Sequence, residues 1–272
     1  MRAAFSLCLT GLIFAAVAAG CGHEAYEHRL DESKRYFSYL DKLNQNLSPA
    51  WVGNGLKLRV PKQFQVIAPP KPKAKKEPKN GKNAPKEAVA DDPPVPDRDP
   101  RQPTFADLTF PGLQGAFTSQ LSVGGKGREP GYLYVLTNND LLGKKGSDEK
   151  AAQFNSTVIH TIAQAVGQAD PAPDKLTNKP IPGPKDEAWV PPRTFKVVRP
   201  GFAASIDGKD YRIEVYNCRQ EKSQVSLVYV LPENVSPAER LASNIDLSLE
   251  TLQLTKVASG AGGAKAPASR GL

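Results

Sequence analysis

The segment Pro69 to Pro103 is dense in proline, lysine and, towards its end, aspartate, and it shows neither a helical nor a strand-like apolar period. Such a stretch cannot bury enough apolar surface to offset the entropy of ordering it, so it reads as disordered or polyproline-like. It also constrains everything around it. As a spacer it would reach roughly 100 Å at about 3.1 Å per residue; as an insertion its ends would meet, and its length adds only modest closure entropy. The alternating stretches before it, Leu56–Pro61 and Phe64–Ile67, are too short to stand alone and favour an insertion into one domain.

Phe105 to about Leu254 is the best-patterned part. Ala116–Val123 and Tyr132–Thr137 read as strands joined at Gly124–Gly127. Ser147–Gly167 reads as an amphipathic helix with Ala151, Phe154, Val158, Ile162 and Val166 on one face, and proline-rich Asp170–Pro192 as a loop. Strands follow at Phe195–Val198, Phe202–Ile206, Tyr211–Cys218 after an Asp207-Gly208 hairpin turn, and Val225–Leu231. Ser236-Pro237-Ala238-Glu239 has the form of a capping box with proline at the first helical position. It would open a helix through Leu241, Ile245, Leu249 and Leu252, although the alternation of Ile245, Leu247 and Leu249 leaves a strand open at the far end. This order predicts an α+β fold, an antiparallel sheet packed with helices. The strand entering Val60-Pro61 and the closing meander and helix of Tyr211–Leu252 resemble the PsbP-like domains. That resemblance implies the same kind of fold in a mostly non-enzymatic family, and it carries no functional residue.

At the other end, Met1 and Arg2 precede an uncharged run from Ala3 to Gly20 that includes Phe5, Leu7, Leu9, Leu12, Ile13, Phe14 and Val17. A basic start, an apolar middle and small residues before a cut form an export signal. The run approaches the roughly 20 residues of a spanning helix, but Ala18, Ala19 and Gly20 narrow the chain as a peptidase requires. Ala18-Ala19-Gly20-Cys21 resembles the lipobox of bacterial lipoproteins. The resemblance implies diacylglycerol on the Cys21 thiol, cleavage before Cys21, and acyl chains such as palmitate that anchor at about 0.8 kcal/mol per buried methylene. Ala18 stands where leucine is usual, so cleavage at Ala16-Val17-Ala18 with plain secretion is the alternative. Gly22, where an aspartate would imply inner-membrane retention, favours the outer membrane.

From Glu24 to Leu47, apolar residues recur at threes and fours through Tyr26, Leu30, Phe37, Leu40 and Leu47, widened by Tyr36, Tyr39 and Leu43. They predict an amphipathic helix of about 36 Å, ended by Ser48-Pro49. It could lie on the membrane, pair with another helix as an oligomerisation stalk, or pack on its own domain. The chain thus divides into a signal peptide (1–20), a lipid-proximal helix (21–48), short strands of the main domain (49–68), the proline- and lysine-rich segment (69–103), the α+β domain (104–255) and a disordered glycine- and alanine-rich tail (256–272).

The net charge of +8 is uneven, because Lys71, Lys73, Lys75, Lys76, Lys79, Lys82 and Lys86 meet only Glu77. Their sequence suits either a solvated linker or attraction to anionic envelope polymers and lipid headgroups. Export argues against nucleic acid. Lipidation of Cys21 leaves Cys218 without a disulfide partner, so it reads as a buried structural thiol on an apolar strand.

No catalytic motif emerges. His23-Glu24-Ala25-Tyr26-Glu27-His28 fails both zincin spacings and reads as surface pairing on a helix. His160 lies within a helical stripe with no nucleophile tied to it. Gly143-Lys144-Lys145-Gly146-Ser147 lacks phosphate-loop spacing and reads as a turn before a serine-capped helix. Asp91-Asp92 falls in the linker, with nothing to separate two pKa values. The expectation is a lipid-anchored, extracytoplasmic binding or scaffolding module of the cell envelope, without cofactor, metal or catalytic residue. The alternative is a small-ligand-binding or hydrolytic envelope enzyme that uses carboxylates or lysines.

Overall fold

A computed structural model of the chain describes residues 2–70, 98–105, 108–125, 127–181 and 190–254, with side chains of the first helix described from Glu24 onward. The chain forms two compact units, Met1–Ser48 and Pro49–Leu272. The first is a single helix, α1 (Arg2–Asn46), so the helix expected from Glu24 is the later part of a longer one. Tyr26, Leu30 and Phe37 of its stripe are exposed. Among the described residues, no helix is long and apolar enough to cross a membrane.

The second unit has an α+β architecture. It opens with a hairpin of β1 (Trp51–Gly53) and β2 (Leu56–Leu58). Its Asn54-Gly55 turn has both residues at positive φ (41° and 76°), the backbone that a tight two-residue hairpin demands. After β3 (Gln65–Val66) come β4 (Leu113–Ser122) and β5 (Arg128–Thr137). Two helices follow, α2 (Asp148–Ala152) and α3 (Phe154–Ala165), then β6 (Leu176–Ile181), β7 (Arg193–Val198), β8 (Phe202–Ile206), β9 (Lys209–Gln220) and β10 (Ser223–Pro232). Helix α4 (Leu241–Glu250) and β11 (Gln253–Leu254) complete the unit. An eight-stranded sheet runs β3-β4-β5-β10-β9-β7-β6, with β8 also on β9, and a three-stranded sheet runs β1-β2-β11. Every pairing is antiparallel.

The large sheet is covered on both faces. On one, Phe117, Val135, Tyr216, Leu227 and Tyr229 pack with Leu56, Phe64, Ile245 and Leu249. On the other, Tyr134, Ile213, Val228 and Val230 pack with Phe110, Phe154, Val158 and Ile162. The end of α4 is stitched to the exit of β2: Ser248 Oγ donates to the Arg59 carbonyl at 2.6 Å, and the Arg59 N–H donates to Thr251 Oγ1 at 2.9 Å.

Four local expectations are corrected. The helix expected over Ser147–Gly167 is broken at Gln153. There the Gln224 amide donates to the carbonyls of Ala151 and Ala152 (3.0 and 2.7 Å) while its oxygen accepts from the Asn155 N–H (3.1 Å). One side chain thus closes the end of α2 and the start of α3, satisfying groups that a helix terminus leaves open. Asn138 Nδ2 adds a bond to the Ala151 carbonyl at 2.9 Å. Ser147 makes no side-chain cap bond.

Asp170–Pro192 is not all loop, because Leu176–Ile181 is a strand, and as the sheet's edge it tolerates Pro180. The capping box does not close either. Ser236 accepts from the Ala238 N–H, but Glu239 reaches across to the Ser122 N–H (3.0 Å), and α4 starts only after Arg240. These bonds to Ser122 hold the Glu239 carboxyl below its usual pKa.

Gln224→Ala should therefore cost about 3 kcal/mol in urea unfolding, since it strips partners from several buried backbone groups at once; a loss well under 1 kcal/mol would show that the break does not depend on it. Glycines give a second test. A side chain at Gly112 (φ +61°) would overlap the Thr137 carbonyl oxygen, whereas at Gly125 (φ +77°) nothing stands within 4 Å. Gly112→Ala should then destabilise by about 3 kcal/mol or more, and Gly125→Ala by only about 1 kcal/mol. Equal costs would contradict the tight approach at Gly112.

Candidate functional site

Strand β9 sends alternate side chains to opposite faces of the sheet. Tyr211, Ile213 and Val215 enter the core beneath α3, and Arg212, Glu214, Tyr216 and Cys218 face the other way. Towards Cys218 this second row is buried in apolar surroundings. Towards Arg212 it opens into a cleft of about 1170 Å³, bounded by α4 and by the segments around Lys175, Lys179 and Arg199.

The floor of the cleft is a closed polar network. The Tyr216 hydroxyl donates to Glu214 Oε2 at 2.6 Å, Arg212 Nε donates to Glu214 Oε1 at 2.9 Å, and a second guanidinium nitrogen of Arg212 lies 3.6 Å from Glu233. Glu214 is only 8% exposed, which a carboxylate tolerates because both its oxygens are engaged. Burial, the adjacent Glu214 charge and the bond to it push the Tyr216 phenol far above its ordinary range, while the Arg199 charge works the other way. Lys179 pairs with Asp246 of α4 and lies 5.7 Å from the centre of the Tyr216 ring. The rim carries Lys175, Arg199 and Arg240, and the Arg199 N–H donates to the Lys175 carbonyl at 2.9 Å. Arg240 sits in the left-handed conformation (φ 48°) at the head of α4, where no side chain caps the first turn.

A smaller, shallower cavity of about 680 Å³ lies on the opposite face, between Phe105, Val166, Ile206 and Tyr211, and Glu233 borders both. Cys218 is a free, buried thiol, raised in pKa by burial against the opposing charge of Arg193. That Arg193 has one buried guanidinium nitrogen without a hydrogen-bond partner.

The residues singled out in the sequence lie elsewhere. Glu24, Glu27 and His28 are exposed on α1, with His28 3.7 Å from Glu32. His160 is exposed and bonded to Asp170 at 2.9 Å. Among the described residues no group of histidine, cysteine and carboxylate side chains is placed to hold a metal. The side chains of Cys21 and His23, the lysines from Lys71 to Lys86, Asp91-Asp92 and the tail beyond Lys256 lie outside the described residues.

No family model matches the chain, PsbP-like or other, and no curated protein matches it. Among solved structures it is similar to a crystal structure from Bacteroides thetaiotaomicron VPI-5482, at 9% identity and a TM-score of 0.31. The alignment covers 74% of this chain and 46% of that one, so the chain spans less than half of that protein's length. At this level the similarity transfers no site, and the cleft is read from its own geometry.

Buried phenols make the unit sensitive to alkali. Burial raises Tyr134, Tyr216 and Tyr229 well above their ordinary value of 10, and burial together with the Glu129, Tyr132 and Asp207 charges pushes Tyr211 up to about 12. Above about pH 10 the unfolded chain loses phenolic protons that the folded chain keeps. The stability contributed by these groups is complete below that pH and is lost as pH rises through the folded values. Urea unfolding followed from about pH 8 to 12 should show a plateau and then a fall, with tyrosinate absorbance appearing together with unfolding. Free ionisation of all the tyrosines near pH 10 in the still-folded protein would contradict this burial.

Proposed function

We propose that the protein is a lipid-anchored, extracytoplasmic binding module of the cell envelope, with Cys21 as its attachment point and the cleft above Tyr216 as its recognition site. The observation that carries the binding half of this reading is the closed network on the cleft floor. Glu214 and Glu233 are both engaged by Arg212, Lys179 is engaged by Asp246, and Tyr216 gives its proton to the Glu214 hydrogen bond. Groups arranged in this way present fixed charge and shape. A hydrolase working through two carboxyls would need one set apart as acid and the other as base or nucleophile, whereas here a single guanidinium serves both carboxylates.

The anchoring half is supported by the lipobox-like Ala18-Ala19-Gly20-Cys21. Acylation there would tether the binding unit without a spanning helix. In this reading the lysines from Lys71 to Lys86 add weak attraction to anionic headgroups or polymers.

Labelling with a clickable palmitate analogue, followed by mass spectrometry of the amino-terminal peptide, tests the anchor. The wild-type chain should carry diacylglycerol and an acyl group on Cys21 and sediment with membranes, whereas Cys21→Ser should be unlabelled and released. An unmodified mature terminus at another position would replace the anchored form with a secreted one.

A further inference from the structure

We propose that the cleft takes a small anionic molecule, whose carboxylate or phosphate group is held between Lys175 and Arg199 on one wall and Arg240 on the other. This deepens the reading of the protein as a binding module and rests on it.

The charges in the cleft divide into two kinds. Arg212 is satisfied by Glu214 and Glu233, and Lys179 by Asp246. Among the described residues the charged groups of Lys175, Arg199 and Arg240 have no ion pair or hydrogen bond, and of the lining carboxylates only Asp174 is likewise unpaired. Three unpaired cations against one unpaired carboxylate leave the rim net positive.

Its placement is fixed by the backbone. The Arg199 N–H bond to the Lys175 carbonyl holds the two backbones together at the end of the β6–β7 pair. Two cationic side chains rooted on bonded backbones can converge on one anion, which removes the repulsion that like charges would otherwise meet there. Arg240 adds a third cation across the cleft. Guanidinium groups suit the task because their planar fork can donate two parallel bonds to a carboxylate or phosphate.

The floor determines what else the ligand can be. Arg212 serves both Glu214 and Glu233, so the floor keeps a net negative charge that turns an acid group towards the rim, and the Tyr216 ring gives a rigid surface for the rest of the molecule. A volume of about 1170 Å³ lies just above the roughly 300–1,000 Å³ usual for small-molecule sites. There is room for a molecule with a body as well as an acid group.

The test is calorimetric titration of the full chain with glycerol phosphate and, separately, with succinate. The expected result is saturable binding of at least one of them at a single site, weakened by added salt. Arg199→Gln and Arg240→Gln should each weaken it by about tenfold, as loss of a charged hydrogen bond does. Lys62→Gln, exposed and outside the cleft, should leave it unchanged. Binding of glycerol phosphate alone would identify a phosphate ligand, and binding of succinate alone a carboxylate ligand. If neither binds, or if binding survives both arginine substitutions, the proposal is overturned. Both arginines are exposed, so the variants should keep the wild-type unfolding midpoint, and Lys175→Gln supplies a third route should either fail to fold. If neither anion binds while the wild-type chain still crosslinks to a partner, the binding-module reading stands and only this site is removed.

Discussion

From Gln224 to Pro232 every residue of β10 is buried, at the centre of a sheet that is covered on both faces. A central strand of this kind demands apolar side chains on both alternations or partners for every polar one. Val225, Leu227, Tyr229 and Leu231 meet the first demand beneath α4 and the small sheet, and Val228 and Val230 meet it beneath α3. Gln224 and Ser226 meet the second. Gln224 is absorbed by the break between α2 and α3, and Ser226 Oγ lies between the amide oxygens of Asn155 and Asn217 at 3.0 and 2.6 Å. The position of that break is therefore set by the strand beneath it. A continuous helix over Gln153 would leave the buried amide of Gln224 without those carbonyls, at a cost of about 1–3 kcal/mol per orphaned group.

The cleft arises where this cover ends. Along the α4-facing row of β9, Cys218 and Tyr216 lie in the apolar core, and Glu214 and Arg212 lie beyond it, where α4 no longer closes the surface. The transition is handled by pairing rather than by solvent: Tyr216 to Glu214, Glu214 to Arg212, and Arg212 to Glu233. Each bond restrains the next side chain, so the floor is already organised before any ligand arrives. Pre-organisation lowers the ordering cost of binding. The same pairing ties Arg212 and Lys179 to carboxylates and leaves Lys175, Arg199 and Arg240 at the rim with only Asp174 unpaired among the lining carboxylates.

The sequence made the strand meander legible because its turns carry strong local chemistry. Asp207-Gly208 adopts positive φ at both residues (50° and 73°), and the strands on either side are long and apolar. The same signal stands at Asn54-Gly55 between Trp51–Gly53 and Leu56–Leu58, but with three residues on each side no long alternating run frames the turn. Two misreadings share another cause, the dominance of long-range contacts over local pattern. Pro180 marked a loop but occupies an edge strand, and Glu239 completed a capping motif but bonds to Ser122, far away in sequence. The cleft was invisible for the same reason. Lys179 lay in what read as a loop, Arg199 preceded a proline, Arg240 followed the capping motif, and nothing periodic joins them. Only the alternation of Arg212, Glu214 and Tyr216 on one strand could have placed three of its residues together.

The two edges of the large sheet are each finished in a way that limits further pairing. At one edge β3 has only two residues, Gln65 and Val66, paired to Thr118 and Phe117 of β4. The chain leaves the described residues shortly after this strand, and on its return it is fastened beside β4 mainly through side chains. Arg98 donates to the carbonyls of Pro103 and Leu108, Arg101 to that of Gln114, and Gln102 bonds with Phe110, whose ring lies 4.9 Å from that of Tyr134. Charge-assisted bonds to backbone carbonyls, each worth about 1.5–3 kcal/mol, hold residues 98–103 against the start of β4. The opposite edge, β6, is interrupted by Pro180. A two-residue strand at one side and a proline at the other deny an incoming chain a regular ladder. A sheet with so apolar a centre thus ends at both sides.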